Sequence, residues 1–246
     1  MRTYAIGDIH GARDKLEDVH DRIAMDRGRV GDHGAPVVHI GDLVDRGPDS
    51  RGVIDFLLAG VGRGEPWIVL KGNHDRMFTG FLADPDSQDP GLREGMHWIE
   101  PRLGGDTTLA SYGVAGAGER MLFDLHADAL AAVPAAHVRF LSGLHASYRR
   151  GPAVFVHAGI RPGVPLDAQA EDDLLWIRRP FLDDPRDHGA LVVHGHTPVD
   201  RVTHYGNRLN IDTGAGYGRT LSAVVIEGDR VWLLGPGGRQ PVLPGG

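Results

Sequence analysis

Residues 4–11, Tyr-Ala-Ile-Gly-Asp-Ile-His-Gly, run from an apolar stretch straight into an acid and a histidine set between two glycines. The same passage from apolar to polar recurs twice downstream. Pro36 to Ile40 leads into "GDLVDRG" (41–47), and Trp67 to Leu70 leads into "KGNHD" (71–75). Short apolar runs bounded by Gly, Asp and Asn predict buried strands. Between the first two lies a helical face of Ala12, Leu16, Val19 and Ile23. Between the second and third lies another, Val53, Ile54, Leu57, Leu58 and Val61. The alternation β-α-β-α-β predicts parallel strands with crossover helices. Asp8, Asp42 and Asn73 stand about thirty residues apart, roughly one βαβ unit each, which brings them to one carboxyl edge of a sheet. That edge is where open α/β sheets bind ligands.

Beyond Phe78 the pattern changes. Residues 78–147 carry the loops "ADPDSQDPG" and "GVAGAGE" and a short helical face of Val138, Leu141 and Leu144, and they read as an insertion or cap within a single domain spanning 1–246. Strand patterns resume at Ala153 to Val156 before "HAG", Leu191 to Val193 before "HGHTP", Arg208 to Ile211, Ser222 to Ile226 and Val231 to Leu234. The last four lack long intervening helices, so they predict antiparallel pairing in a mixed second sheet. The Gly- and Pro-rich tail at 235–246 predicts a flexible end.

The chain has 246 residues, 41% hydrophobic and 24% charged, with a formal net charge of −7. That balance disfavours binding of nucleic acid or an anionic membrane through overall charge. The absence of cysteine removes disulfides, thiolate metal sites and cysteine nucleophiles. No apolar run approaches the ~20 residues of a membrane span, and the first apolar stretch lacks the length of a signal peptide. A cytoplasmic protein is the expectation.

The strand ends together offer Asp8, His10, Asp42, Asp45, Asn73, His74, Asp75, His157, His194 and His196. One Asp-Gly or Asn-His after a strand is ordinary turn chemistry, but turn chemistry does not explain recurrence at five strand ends. Carboxylates and imidazoles suit Mn, Fe, Zn or Ni, and a carboxylate can bridge two ions.

In this order, GDIHG, GDLVDRG, GNHD, HAG and GHT resemble the signature blocks of the calcineurin-like metallophosphoesterases, in particular the bacterial and lambdoid-phage phosphoprotein phosphatases. The resemblance spans residues 7–197. It implies an α/β sandwich of two packed mixed sheets flanked by helices, and two divalent ions, manganese first, with Fe, Zn or Ni as alternatives. It implies Asp8 and His10 at the first ion, Asp42 bridging, and Asn73, His157 and His196 at the second. His74 resembles the family's general acid and Asp45 the carboxylate that orients it. Arg46 and Asn73 are then phosphate contacts, and "LLWIRRP" (174–180) resembles a Trp-x-Arg element that makes Arg178 a second clamp, with the register shared by adjacent Arg179. His194 reads either as a support behind the ligands or as a residue the strand tolerates.

Asp45 stands where symmetrical diadenosine tetraphosphate hydrolases typically carry Ala, and Asp75 matches the bacterial and phage phosphatases. The expected activity is therefore a serine/threonine or dual-specificity protein phosphatase acting through a metal-activated water. The alternatives are a symmetrical diadenosine tetraphosphate hydrolase and, from another class, a non-catalytic metal-binding scaffold. The phosphatase module of RNA end-healing enzymes has similar blocks, but the missing partner domain and the acidic balance argue against it. The expected partner is a phosphoprotein or a small phosphoester. Trp98 and Tyr112, in the insertion, read equally as core aromatics or as a substrate platform.

Overall fold

In β1 (Arg2–Ile6) the side chains alternate between two layers, Tyr4 and Ile6 facing helices while Ala5 faces a second sheet. The computed structural model describes residues 1–245. Along the chain follow α1 (Arg13–Val30), β2 (Val37–His39), α2 (Ser50–Gly62), β3 (Trp67–Val69), α3 (Asn73–Ala83), α4 (Gly105–Ser111), α5 (Leu122–Ala132), α6 (Ala135–Ser142), β4 (Ser147–Arg150) and β5 (Ala153–Val156). Then come α7 (Glu171–Trp176), β6 (Leu191–His194), β7 (Thr203–His204), β8 (Arg208–Asn210), β9 (Ala223–Glu227), β10 (Arg230–Gly235) and β11 (Gly238–Pro241).

The six-stranded sheet has the order β11-β10-β9-β1-β2-β3, and the five-stranded one β4-β5-β6-β8-β7. Both are mixed and flanked by helices, as expected. β1, β2 and β3 run parallel, Tyr4 opposite Val37 and Val37 opposite Trp67. Ala5, Val38, Ile40, Phe155, Leu209 and Val224 fill the space between the sheets. The predicted face of α1 is buried at Leu16, Val19 and Ile23, and that of α2 at Val53, Ile54 and Leu57. Val61 lies outside the buried face and is 43% exposed.

Two expectations change. The last four predicted strands do not share one sheet: β6 and β8 pair in parallel within the second sheet, whereas β9 and β10 join the first, β9 antiparallel to β1. Apolar alternation alone does not distinguish these partners, because β9 buries Val225 toward the helices and Val224 toward the other sheet. Secondly, the tail read as flexible contains β11, paired antiparallel with β10.

A charge cluster fastens that edge strand. Arg239 donates to Asp26 at 2.7 and 2.9 Å and to Glu227 at 2.9 Å, while Tyr4 donates to Asp26 at 2.8 Å. Burial works against the Asp26 charge, but the bonds from Arg239 and Tyr4 outweigh it and hold the carboxyl below its ordinary range. A depressed carboxyl contributes stability above its unfolded pKa, and that contribution is lost as pH falls through the folded one. Arg239→Ala is therefore expected to destabilise the protein by about 2–3 kcal/mol near neutrality, with the difference shrinking in strong acid. Urea unfolding at both pH values checks this, and an equal loss at both contradicts it.

Asp75 stabilises the start of α3. Its two carboxylate oxygens accept from Gly72 N at 2.8 Å and Leu43 N at 2.9 Å, joining the loops after β2 and β3. Asp75→Ala leaves two buried donors unpaired, at a cost of about 3 kcal/mol. Calorimetry should show a lowered melting midpoint; an unchanged midpoint refutes the role.

Candidate functional site

The loops after β1, β2, β3, β5 and β6 meet at the carboxyl edge. Among the described residues the non-glycine positions with left-handed φ are His10 (47°), Asp42 (50°), Asp45 (74°), Arg46 (68°) and His196 (64°). Each costs of order 1–3 kcal/mol and persists only where its surroundings over-determine it. All five lie in this one cluster. The Asp42 carbonyl accepts from Ile9 N at 3.0 Å and His10 N at 2.8 Å, tying the first loop to the second. Two glycines permit the close approach: a Cβ on Gly72 would sit 2.2 Å from Asp42 N, and one on Gly195 would sit 2.0 Å from Asp8 Oδ1.

Asp42 stands between two sets of donors, His10 with His74 on one side and His157 with His196 on the other, each set within 4.8 Å. His157 Nε2 and His196 Nδ1 both lie 2.9 Å from Asn73 Oδ1 and 3.2 Å from each other. The opposite nitrogens are engaged by backbone, His157 Nδ1 with the Ile40 carbonyl at 3.1 Å and His10 Nδ1 with the Val44 carbonyl at 2.9 Å. An Nδ1–H given to a carbonyl leaves Nε2 with its lone pair facing inward, the arrangement of a metal-binding imidazole. Asp8 Oδ2 accepts from His196 N at 3.0 Å. Asp8 Oδ1 and His196 Nε2 are buried without any partner. Such orphaned donors, with an oxygen and imidazole set, fit a pair of divalent ions.

The electrostatics follow from burial. Burial opposes the Asp42 charge, but the imidazoles of His157, His74, His10 and His196 outweigh it and keep this carboxyl below its ordinary range. Burial pushes Asp8 well above the ordinary range, with the Asp212 and Asp42 charges adding to it. Buried carboxylates that raise one another's pKa favour a bound cation.

His74 has a different setting from the other imidazoles. Its Nδ1 bonds Asp45 Oδ2 at 2.6 Å, and its Nε2 faces Arg46 Nη2 at 3.0 Å. Asp45, fully buried, also accepts from Trp98 Nε1 at 2.7 Å and Thr108 Oγ1 at 2.7 Å. A carboxylate so completely held gives its imidazole one orientation. Arg46 reaches His10 as well as His74, so its guanidinium lies across the first donor set.

The structure separates the two neighbouring arginines. Arg179 is 82% exposed and pairs with Asp183 at 2.9 Å. Arg178 is close enough to act on His196, whose pKa falls well below the ordinary value through burial first, then through His157 and Arg178. His194 points away from the donors: it packs edge-on against Phe181 at 5.0 Å and lies 3.3 Å from Arg208. Burial, then Arg208, brings its pKa down to about 3.

Sequence reasoning missed three neighbours of the site, Thr108, Asp212 and Tyr217, and left Trp98 open between a core aromatic and a substrate platform; Trp98 is a core residue. Trp98 and Thr108 hold Asp45 from inside the insertion. Asp212 follows β8 in "NIDTG", and burial raises its pKa to about 6, with Asp42 adding and the Gly214 N–H opposing. Tyr217 lies beneath Arg46, the guanidinium carbon 4.8 Å from the ring centre. Asp212 repeats the signal that found the others, an acid just past an apolar strand. The insertion carries no such local mark.

Known proteins resemble this chain over most of its length. The chain is 28% identical to the bis(5'-nucleosyl)-tetraphosphatase PrpE [asymmetrical] of Geobacillus thermodenitrificans, covering 91% of this chain and 90% of that protein. It is 27% identical to the protein of the same name from Halalkalibacterium halodurans, over 99% and 96%. Among solved structures, one described as a candidate diadenosine tetraphosphatase superposes with a TM-score of 0.64 at 23% identity, over 99% and 95% of the two chains. A cold-active protein tyrosine phosphatase superposes with a TM-score of 0.64 at 18% identity, over 99% and 79%. Both superpositions reflect a shared fold. Residues 1–225 match the calcineurin-like phosphoesterase family, and the chain belongs to that family of metal-dependent hydrolases.

Proposed function

We propose that this protein hydrolyses a dinucleoside tetraphosphate asymmetrically, into a nucleoside monophosphate and a nucleoside triphosphate. The chemistry rests on one observation, the buried Asp45–His74 pair set beside two donor groups that share Asp42. The substrate rests on the relatives that match nearly the whole chain and bear that description. They favour asymmetrical over symmetrical cleavage. Asp45 speaks against a symmetrical hydrolase and leaves asymmetrical cleavage open.

Asp8 and His10 would hold the first ion, Asp42 would be shared, and Asn73, His157 and His196 would hold the second. Divalent ions held there, manganese being our first choice, would supply a water of lowered pKa and offset phosphate charge. Arg46 and Arg178 orient the phosphoryl group by charge-assisted hydrogen bonds. Asn73, at the start of α3, stands beside the same group. His74 gives a proton to the departing oxygen, and Asp45 holds the imidazole for that transfer. The P–O bond breaks as the water oxygen bonds to phosphorus, so no covalent phosphoenzyme forms.

A protein serine/threonine phosphatase is the second reading. The GDLVDRG block with its Asp45 favours it, because an alkoxide leaving group depends on an oriented acid more than a polyphosphate does. One experiment separates the two: manganese-loaded protein is given diadenosine tetraphosphate and, in parallel, phosphoserine, phosphothreonine and phosphotyrosine peptides. We expect the highest kcat/KM for the dinucleotide, with AMP and ATP as products. A preference for phosphopeptides reverses the order of the readings, and two ADP per substrate makes the enzyme symmetrical.

A further inference from the structure

The turn Ala215–Tyr217 docks directly on the first donor set. Ala215 is buried, and a Cβ on Gly216 would lie 2.6 Å from the His10 ring. Glycines with left-handed φ bound the turn, Gly214 at 78° and Gly218 at 80°, and Lys15 Nζ ties it from α1 through the Arg219 carbonyl at 2.6 Å. The turn is thus held from both sides, yet its last residue, Tyr217, is 60% exposed. The Arg46 guanidinium covers one face of the ring, so the exposure belongs to the remainder. A rigidly mounted, exposed aromatic ring therefore stands against the Arg46 phosphate clamp.

A planar ring in this place has little to offer a phosphate, which carries the negative charge that arginines take. It has much to offer a flat π-system attached to that phosphate, because base–aromatic stacking is sequence-tolerant and strong on this scale. The Arg46 cation on one face polarises the ring and fixes it. We propose that Tyr217 is a specificity-determining residue whose ring stacks the nucleobase of the nucleotide whose phosphate lies on Arg46. The inference rests on the dinucleotide reading given above.

The test compares two competitive inhibitors that differ only by the base, AMP and ribose 5-phosphate, against glycerol 2-phosphate hydrolysis by the manganese-loaded enzyme. Glycerol 2-phosphate is chosen because it carries no ring. In the wild type, AMP should bind about tenfold or more tightly than ribose 5-phosphate. Y217F should keep that ratio and Y217L should bring it to about one. The proposal is overturned if the ratio is already one in the wild type. It is equally overturned if Y217L weakens both inhibitors alike, for then Tyr217 only positions Arg46. Turnover of diadenosine tetraphosphate by the wild type tests the substrate reading separately, so the two failures give different results.

Discussion

His74→Asn should lower kcat by about 10²–10⁴-fold on an alkyl phosphate such as glycerol 2-phosphate, the range that general-acid catalysis supplies. The loss should be much smaller on p-nitrophenyl phosphate and on the dinucleotide, whose leaving oxygens depart readily without a proton. The reason is geometric: Nδ1 is committed to Asp45 at 2.6 Å, and Nε2 faces the same space as Arg46. The variant also decides between two roles for this imidazole, since His74 lies within reach of the His10 and Asp42 donor atoms. A general acid can be replaced without loss of metal, whereas a ligand cannot. Retained metal content with a leaving-group-dependent rate supports the acid. An equal loss on all substrates argues against it.

Asp42→Asn should abolish activity, by about four orders of magnitude or more. Asp42 is the one residue common to both donor sets, and it is buried. An amide of the same shape keeps one oxygen but loses the charge, and several kcal/mol of charge stabilisation corresponds to such a factor. Metal analysis should show the pair gone. A variant with normal metal content and normal rate refutes the bridging role.

The site residues were legible because each follows a short buried strand. Asp8, Asp42, Asn73, His157 and His196 all occupy the first positions beyond an apolar run, and parallel strands carry such positions to one edge. What was not legible depends on contacts far apart in the chain. Trp98 and Thr108 reach Asp45 across more than fifty residues, at separations of 53 and 63, from a segment with no strand or helix period near Trp98. Tyr217 stands after a glycine-rich loop in which an aromatic residue has no local meaning. The partners of β9 and the pairing of β11 were hidden for a related reason: strand periodicity specifies faces, not neighbours. Arg178 and Arg179 show the limit at one-residue resolution: in sequence they are alike, whereas in the structure Arg179 is exposed and paired with Asp183.

We propose a two-metal phosphoesterase with Asp42 at its centre. Its most direct test is a titration of metal-stripped protein with Mn²⁺, with bound metal and the rate of p-nitrophenyl phosphate hydrolysis measured at each point. Binding should saturate at two ions per chain, with the rate rising as the pair fills. Full activity in the metal-free protein, or saturation at a single ion, would contradict it.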